Sequence, residues 1–385
     1  MGIIPMRPIL DAANKMGYAN GAYNMNAHCQ IEAALEVHQM LRSPAVLQGA
    51  DLANGFMGGR TDFLNSTKED KENGAKNMAK ALRDAVNKYD VPVCLHLDHG
   101  PSIESVKAAI DGGYTSVMID GSSLSFKDNI ELTREVVKIA HPLGVSVEGE
   151  LGVLAGVEDH VFSETSSYTN PLDAIKFFKD TKVDALAISY GTKHGANKGS
   201  DTVIRKEIAI AVKECMNHEG IEGYLVSHGS SLVPSHIVNE INNYGGTLKN
   251  AHGIQLNQLQ EVIKCGINKV NVDTDIRLAV TRNIREAFYK NESLKSEKVF
   301  CDVYDLMCKN TSAFDPRYYL TPMMDTIMYG QVKDEQTQLL VDLIKSGVKE
   351  ILANLIVEFN SAGKAPLVEN ITLEKMADYY KKQGI

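Results

Sequence analysis

The amino-acid sequence predicts an α/β protein, a (β/α)8 TIM barrel with additional C-terminal helices. Short apolar runs alternate with segments in which apolar residues recur every three or four positions, from Gly21 to about Lys290. Strands separated by such helices pair in parallel through right-handed crossovers, and eight βα units in roughly 270 residues match the size of this barrel. The candidate strands are residues 21–26, 45–49, 91–98, 116–120, 145–150, 185–190, 223–227 and 269–273. A doubly wound open sheet has the same alternation and remains the alternative fold.

The predicted helices fill the gaps between these strands and continue beyond them. IEAALEVHQML (residues 31–41) and IELTREVVKIA (residues 130–140) carry apolar residues at helical spacing. FDPRYYLTP (residues 314–322) is typical of a loop that leads into a helix, residues 325–357 indicate one or two helices, and residues 366–385 indicate another. We therefore expect one domain over residues 1–385, with the barrel at about 1–290 and a helical extension at about 291–385 that covers the barrel or contacts another subunit.

The composition excludes several classes of partner. The formal net charge is −9, and acidic and basic residues are interspersed, whereas a nucleic-acid-binding surface needs a basic face. No apolar run reaches the roughly 18 residues of a spanning helix, so we expect no membrane partner. The start, MGIIPMRPIL, lacks the apolar region of a signal peptide, and the six cysteines form no C-x-x-C pair. These features predict reduced thiols and a cytoplasmic location.

Polar residues recur where the candidate strands end. In a (β/α)8 barrel the residues that act on substrate come from the C-terminal ends of the strands and from the loops that follow them. Most of the candidate strands end in such residues or lead directly into them, which predicts one shared site at that end of the barrel. The residues concerned are Asn24, Asn26, Asp98, His99, Asp120, Glu148, Glu150, His194, His228, Asn271, Asp273 and Asp275.

Three histidines in this set predict a metal site. His99, His194 and His228 each follow a candidate strand, and each is followed by glycine. Three imidazoles that share one cation leave a coordination position open, which is the zinc arrangement suited to catalysis. A lone histidine is more often a surface residue or a satisfied core residue, so the prediction depends on the three occurring together.

The loops after the seventh and eighth strands are the usual phosphate site of this fold. Gly195 and Gly229, with the pairs Ser230–Ser231 and Thr274–Asp275, leave backbone N–H groups free to approach an anion. Lys198 and Arg277 add positive charge, although either one taken alone is more typical of a solvated surface residue.

The motifs HLDHG, GTKHG, SHGSS and NVDTDIRLA occur together in one order and spacing, and on them the sequence resembles the class II fructose-bisphosphate aldolases. The resemblance runs from about Met6 through the barrel to FDPR and reappears at FNSAGKA (residues 359–365). It implies cleavage of fructose 1,6-bisphosphate to dihydroxyacetone phosphate and glyceraldehyde 3-phosphate, in glycolysis and gluconeogenesis. It also implies a catalytic zinc ion, a sodium or potassium ion near the phosphate, and a homodimer or homotetramer.

The resemblance also implies a role for each matching residue. His99, His194 and His228 would bind zinc. Asp98 would exchange a proton with the carbon-4 oxygen, and Glu158, in GVLAGVEDHVFSETSS, would exchange the proton on the dihydroxyacetone-phosphate carbon. The other matching positions would form a neighbouring metal position (Asp120, Glu150), the contacts to substrate and its first phosphate (Asn24, Gly195, Lys198, Gly229, Ser231, Asn271, Asp273, Thr274), the second phosphate site (Arg277) and a contact to a neighbouring subunit's site (Arg317).

Three residues depart from the pattern of the family. Ala50 and Lys193 stand where serine is usual, and Leu232 stands where glycine is usual. An aldolase for another phosphorylated ketose, such as tagatose 1,6-bisphosphate, therefore remains an alternative. So do a Schiff-base mechanism through Lys193 and a catalytically silent homologue.

Overall fold

The computed structural model describes residues 2–158, 161–199 and 202–384. Within these residues the ten strands are β1 (Asn20–Asn24), β2 (Ala45–Ala50), β3 (Val93–Gly100), β4 (Ser116–Ile119), β5 (Ser146–Leu151), β6 (Gly156–Glu158), β7 (Val161–Ser163), β8 (Ala185–Ile188), β9 (Tyr224–Ser227) and β10 (Ile267–Val272). Eight of them close a parallel barrel in the order β1-β10-β9-β8-β5-β4-β3-β2. The first and last barrel strands pair, with Ala22 opposite Asn271, which confirms the barrel and excludes the open sheet.

All of the predicted barrel strands are present, with no end displaced by more than two residues. The third was predicted to begin at Val91 but begins at Val93, since the intervening Pro92 has no N–H to donate to the ladder. The antiparallel hairpin of β6 and β7 lies outside the barrel and was not predicted.

The helices surround the barrel and have recognisable ends. Thr67 and Asp70 form a capping box at the start of α4, and Asn170 followed by Pro171 begins α7. Among the described residues the fifteen helices are α1 (Met6–Met16), α2 (His28–Met40), α3 (Asp51–Met57), α4 (Lys68–Val86), α5 (Ile103–Gly112), α6 (Phe126–Ala140), α7 (Pro171–Thr181), α8 (Lys206–His218), α9 (Ser235–Asn243), α10 (Leu256–Lys264), α11 (Thr274–Lys290), α12 (Lys298–Lys309), α13 (Met324–Tyr329), α14 (Glu335–Glu358) and α15 (Leu373–Gln383). No helix in the described part of the chain combines the length and apolar character needed to cross a bilayer.

The core has two parts that leave one end of the barrel available for a site. Alternate strand residues such as Leu95 and Leu97 belong to the large cluster between the barrel and its helices. A smaller cluster fills the lower barrel interior, where Met6 and Ile9 from the region of α1 pack with Val46 and other interior residues. The N-terminal end of the barrel is therefore closed by apolar side chains, and the polar residues lie toward the other end.

The C-terminal helices pack onto the barrel. Two helices, α13 and α14, occupy the region predicted to hold one or two, and α14 packs against α2 and α11, which follow the first and last barrel strands. The last helix, α15, is fixed at the closed end of the barrel: the ring of Tyr380 stacks on His141 with centroids 3.7 Å apart, and its hydroxyl donates to Asp184 at 2.8 Å. A role for this region in subunit contacts stays a prediction.

Candidate metal centre and active site

Three histidines, one in β3 and two in the loops after β8 and β9, meet at the open end of the barrel. The ring centroid of His99 is 5.1 Å from that of His194 and 4.5 Å from that of His228, and the His194 and His228 centroids are 6.5 Å apart. His99 Nε2 lies 2.8 Å from His228 Nδ1. All three side chains are buried. The structure therefore brings the three rings together, but among the described residues only His99 and His228 belong to the same group of possible metal ligands; His194 lies beside that group, and its role as a third ligand stays a prediction.

His99 lies within β3, His228 directly follows β9, and His194 lies in the loop after β8. His99 has φ +45°, which is uncommon for a residue other than glycine, and the pairing of β3 with β4 shifts register at the same point. Gly195 and Gly229, which follow the other two histidines, have φ +79° and +60°. A Cβ atom on Gly229 would lie 2.5 Å from the carbonyl oxygen of Lys193. Glycine is therefore required here by the turn and by close backbone contact.

Carboxylates surround His99. Asp120 Oδ2 is 3.2 Å and Glu150 Oε2 is 3.8 Å from His99 Nδ1. Burial lowers the pKa of His99, but the neighbouring Asp98, Asp120 and Glu150 outweigh it and raise that pKa well above its usual value. The negative potential that stabilises a proton on this ring would equally stabilise a metal cation beside it.

The donor set fits a divalent cation. Ligand atoms of Asp98, His99 and His228 all lie within 4.8 Å of one another, as do those of His99, Asp120 and Glu150. Glu150 Oε2 is buried and has no hydrogen-bond donor among the described residues. Burial and the nearby Asp120 raise the pKa of Glu150 well above its usual value. A bound cation would compensate this carboxylate, and imidazole with carboxylate is a donor set that zinc accepts.

Two amides hold the carboxylate of Asp98. Asn271 Nδ2 donates to Asp98 Oδ1 at 2.7 Å, and Asn24 Nδ2 donates to Asp98 Oδ2 at 3.0 Å. Gln48 Nε2 in turn donates to Asn24 Oδ1 at 2.6 Å, which fixes the orientation of that amide. Asp98 is 1% exposed. A buried carboxylate that is fixed at both oxygens beside a metal position can take up and return a proton at a defined place.

Sequence reasoning missed several polar residues of this region. Gln48, His96 and Lys269 are fully buried in the barrel interior, one layer below the predicted site. Each lies two residues before a strand-end residue, namely Ala50, Asp98 and Asn271. Side chains two apart in a strand share a face, so the two-residue period of polar residues in HLD and KVN is the signal that finds them.

Half of the predicted substrate- and phosphate-binding residues line a cavity of about 340 Å³, and the other half do not. Those that line it are Gly195, Asp273, Thr274, Arg277 and Arg317, and those that do not are Asn24, Lys198, Gly229, Ser231 and Asn271. Arg277 donates to both carboxylate oxygens of Asp273 and, at 3.0 Å, to Asp315. Arg317 also binds Asp315, with its guanidinium carbon 4.3 Å from the ring centroid of Phe63. Burial raises the pKa of Asp315, but the two arginines outweigh it and lower it to about 2. The cavity is lined by Phe63, Leu64, Gly195, Asp273, Thr274, Arg277, Asn310, Ser312, Ala313, Phe314, Asp315, Arg317 and Tyr318.

The loop after β9, which carries Gly229 and Ser231, is fixed by a buried carboxylate. Asp275 accepts the backbone N–H of Leu232 at 2.9 Å and that of Val233 at 2.7 Å. Lys198 is also buried, and its ammonium donates to the carbonyl oxygen of Lys193. The loop that carries Leu232, where glycine is usual in the family, is thus held by two backbone hydrogen bonds to Asp275.

Two predicted roles are not resolved by this geometry. The backbone of Glu158 ends β6, but its side chain is outside the described part of the structure. Arg317 is 2% exposed and lines the same cavity as Thr274 of its own chain. Its predicted contact with a neighbouring subunit stays a prediction.

Comparison with known proteins identifies the family. The family described as fructose-bisphosphate aldolase class-II matches residues 4–364. The fructose-bisphosphate aldolase of Giardia intestinalis is 37% identical over 383 residues, which cover 99% of this chain and 100% of that protein. The fructose-bisphosphate aldolase of a Nostoc species is 34% identical over 402 residues, covering 99% of this chain and 96% of that protein.

Solved structures show the same fold at lower sequence identity. The fructose-bisphosphate aldolase of Campylobacter jejuni has a TM-score of 0.67 at 21% identity, covering 94% of this chain and 97% of that one. The YdjI aldolase of Escherichia coli K12 has a TM-score of 0.64 at 24% identity, covering 94% of this chain and 100% of that one. With the family match over nearly the whole sequence, this chain belongs to the class II fructose-bisphosphate aldolases, a family of metal-dependent lyases.

Proposed function

We propose that this protein is a zinc-dependent aldolase that reversibly cleaves fructose 1,6-bisphosphate to dihydroxyacetone phosphate and glyceraldehyde 3-phosphate. The observation that carries the proposal is the meeting of His99, His194 and His228 beside Asp98, a carboxylate held by two amides. This arrangement supplies both requirements of aldol cleavage, an electron sink and a base. We infer a cytoplasmic enzyme of glycolysis and gluconeogenesis.

The proposed ligands are His99, His194 and His228, with Asp120 and Glu150 lining a neighbouring metal position. When bound there, the zinc ion supplies Lewis-acid chemistry, because it polarises the ketose carbonyl and stabilises the negative charge that develops when the carbon–carbon bond breaks. The protein then needs no lysine as electron sink.

Asp98 is the proposed base. It accepts the proton of the carbon-4 hydroxyl during cleavage and returns it during condensation. Asn24 and Asn271 each donate to one of its oxygens, so the carboxylate cannot rotate away from the substrate. Glu158 is proposed to exchange the proton on the dihydroxyacetone-phosphate carbon.

The remaining predicted residues are proposed to bind the two phosphates. Arg277 and Arg317 line one cavity, and both bind the carboxylate of Asp315. A second phosphate in this cavity would compete with Asp315 for the two guanidinium groups. A sodium or potassium ion near the first phosphate, and a homodimer or homotetramer, belong to the same proposal. The first phosphate and its ketol would contact Gly195, Lys198, Gly229, Ser231, Asn271, Asp273 and Thr274.

Tagatose 1,6-bisphosphate is a second candidate substrate, and one observation favours it. Ala50 pairs with Asp98 across β2 and β3, so the departure from serine lies beside the proposed base for the carbon-4 oxygen. Fructose and tagatose differ in configuration at carbon 4. A smaller residue at this position therefore changes the space beside the one centre that distinguishes the two sugars.

A cleavage assay on the purified full chain tests the proposal. Catalytic efficiency is compared on fructose and tagatose bisphosphates after chelator treatment and after re-addition of zinc, and the bound metal is identified by elemental analysis. We expect activity to be lost with chelator, restored by zinc and higher on the fructose substrate. Activity that survives chelation but is lost with borohydride plus substrate would instead establish a Schiff base, with Lys193 as the lysine to test. No turnover on either sugar after zinc loading would indicate a silent homologue.

A further inference from the structure

A buried ion pair lies directly beneath the proposed metal site. Lys269 Nζ is 2.9 Å from Glu148 Oε2, and both side chains are 0% exposed. A buried ion pair of this kind contributes little net stability, because desolvation of both charges offsets their attraction. Apolar side chains of similar volume would fill the barrel interior equally well. Stability therefore does not explain why two charged residues occupy this position, and their contacts with neighbouring residues indicate another role.

Glu148 makes the first of these contacts, with a proposed metal ligand. Glu148 Oε1 is 2.7 Å from His228 Nε2. Glu148 therefore lies between the ammonium group of Lys269 and the ring of His228. A carboxylate that accepts a hydrogen bond from Nε2–H keeps the proton on that nitrogen and so fixes the tautomer of the ring. The other nitrogen, Nδ1, is the one that faces His99 at 2.8 Å.

Lys269 makes the second contact, with a residue that holds the proposed base. Lys269 Nζ donates to Asn271 Oδ1 at 2.8 Å. Because the ammonium group has only donors, it fixes which end of the amide faces it. The amide nitrogen of Asn271 is thereby directed to Asp98 Oδ1 at 2.7 Å, with His228 Nδ1 at 3.3 Å. The reverse orientation would set the amide oxygen against the carboxylate.

We propose that Lys269 and Glu148 are positioning residues that couple the metal ligand His228 to the base Asp98. One buried charge pair determines the tautomer of the ligand and the amide orientation of Asn271, so the metal and the base are aligned by the same two side chains. The inference rests on the proposed function for the roles of His228 and Asp98. Neither Lys269 nor Glu148 contacts substrate in this scheme.

Lys269→Met tests the inference, since methionine keeps most of the volume and removes the charge. The affinity of the apoprotein for zinc is measured by competition with a chromogenic chelator, and kcat and KM are measured on zinc-loaded protein. We expect zinc affinity to fall about 10- to 100-fold, as for loss of a group that orients a metal ligand. We expect kcat to fall at least as far, with little change in KM. Wild-type zinc affinity and kcat in the folded variant would overturn the inference.

Arg7→Met is the matched control. Arg7 forms an ion pair with Asp184 at 2.9 Å at the closed end of the same barrel; the Asp184 side chain is 1% exposed and that of Arg7 is 11% exposed. This variant should lower Tm but leave zinc affinity and kcat within about twofold of wild type. If it weakens zinc binding as much as Lys269→Met does, the effect belongs to general destabilisation and the inference fails.

Two further variants keep the test decisive. If Lys269→Met does not fold, the double variant Lys269→Met with Glu148→Gln removes both charges and leaves neither one buried alone; it should fold and still bind zinc weakly. In a double-mutant cycle, the fold-decrease in kcat of the variant with both Lys269→Met and Asn271→Ala should be smaller than the product of the fold-decreases of the two single variants. Independent, multiplicative effects would overturn the coupling. If the wild type cleaves neither sugar, the proposed function fails, but zinc affinity still decides the role of the ion pair.

Discussion

Replacement of Asp98 by asparagine tests the central chemical step with almost no change of shape. The wild-type carboxylate accepts one hydrogen bond at each oxygen, from Asn271 at 2.7 Å and from Asn24 at 3.0 Å. Asparagine offers one acceptor oxygen and presents its NH2 group to the other donor. The variant therefore loses one hydrogen bond, brings two donors face to face and cannot accept the proton of the carbon-4 hydroxyl.

The size of the effect follows from these contacts. A hydrogen bond to a charged group contributes about 1.5–3 kcal/mol, so we expect a stability loss of that order. General-base catalysis contributes about 10²- to 10⁴-fold to a rate, which is about 3–5 kcal/mol of activation free energy. Since exchange of the proton on the dihydroxyacetone-phosphate carbon does not involve the carbon-4 oxygen, we expect that reaction to slow by less than about tenfold.

Two assays on the same zinc-loaded preparation separate these effects. Cleavage of fructose 1,6-bisphosphate is followed by release of triose phosphate, and proton exchange is followed by NMR of dihydroxyacetone phosphate in D2O. Asp184→Asn, which alters a buried carboxylate at the closed end of the barrel, is the control and should leave both rates unchanged. Cleavage by Asp98→Asn within about threefold of wild type, or equal losses in both assays, would refute the assignment of Asp98 to carbon 4.

Three further outcomes follow from the structure. Gly229→Ala forces a side chain into φ +60° and against backbone; it should cost about 1–3 kcal/mol in urea unfolding and raise KM, and an unchanged KM would argue against a role in binding phosphate. Burial raises the pKa of Asp184, but His141 and Arg7 outweigh it and lower it from 3.8 to about 2. This carboxylate therefore contributes about 2 kcal/mol above pH 4, which is lost as the pH falls through 2, and the stability difference between wild type and Asp184→Asn should shrink over that window; a constant difference would contradict the linkage. Arg277→Met should raise KM for fructose 1,6-bisphosphate more than about tenfold but not KM for fructose 1-phosphate, because only the former needs a second phosphate site, and equal increases would place Arg277 elsewhere.

The barrel could be predicted because its strands are short, apolar and regularly spaced, and because most of them end in polar residues that an apolar core would exclude. The hairpin of β6 and β7 could not be, since its two three-residue strands give too short a pattern to separate from a loop. The turn at His99 was also missed. In HLDHG the glycine is the expected residue for a left-handed conformation, yet the histidine adopts it, while Gly100 continues the strand pairing opposite Ile119.

The ion pair beneath the site shows why part of a barrel's chemistry is not visible strand by strand. Alternation places Lys269 on the same face as Asn271, and Glu148 on the same face as Glu150, so the sequence does predict which side each charge takes. It does not predict that these two charges meet, because β5 and β10 are not neighbours in the barrel. The partner of each charge is set by the tilt and stagger of the closed barrel, a property of all eight strands together. From the sequence alone, a single lysine on the interior face of a strand would suggest that the strand had been assigned in the wrong register. Only the closed barrel shows that Glu148 lies opposite Lys269, and that the two side chains contact His228 and Asn271.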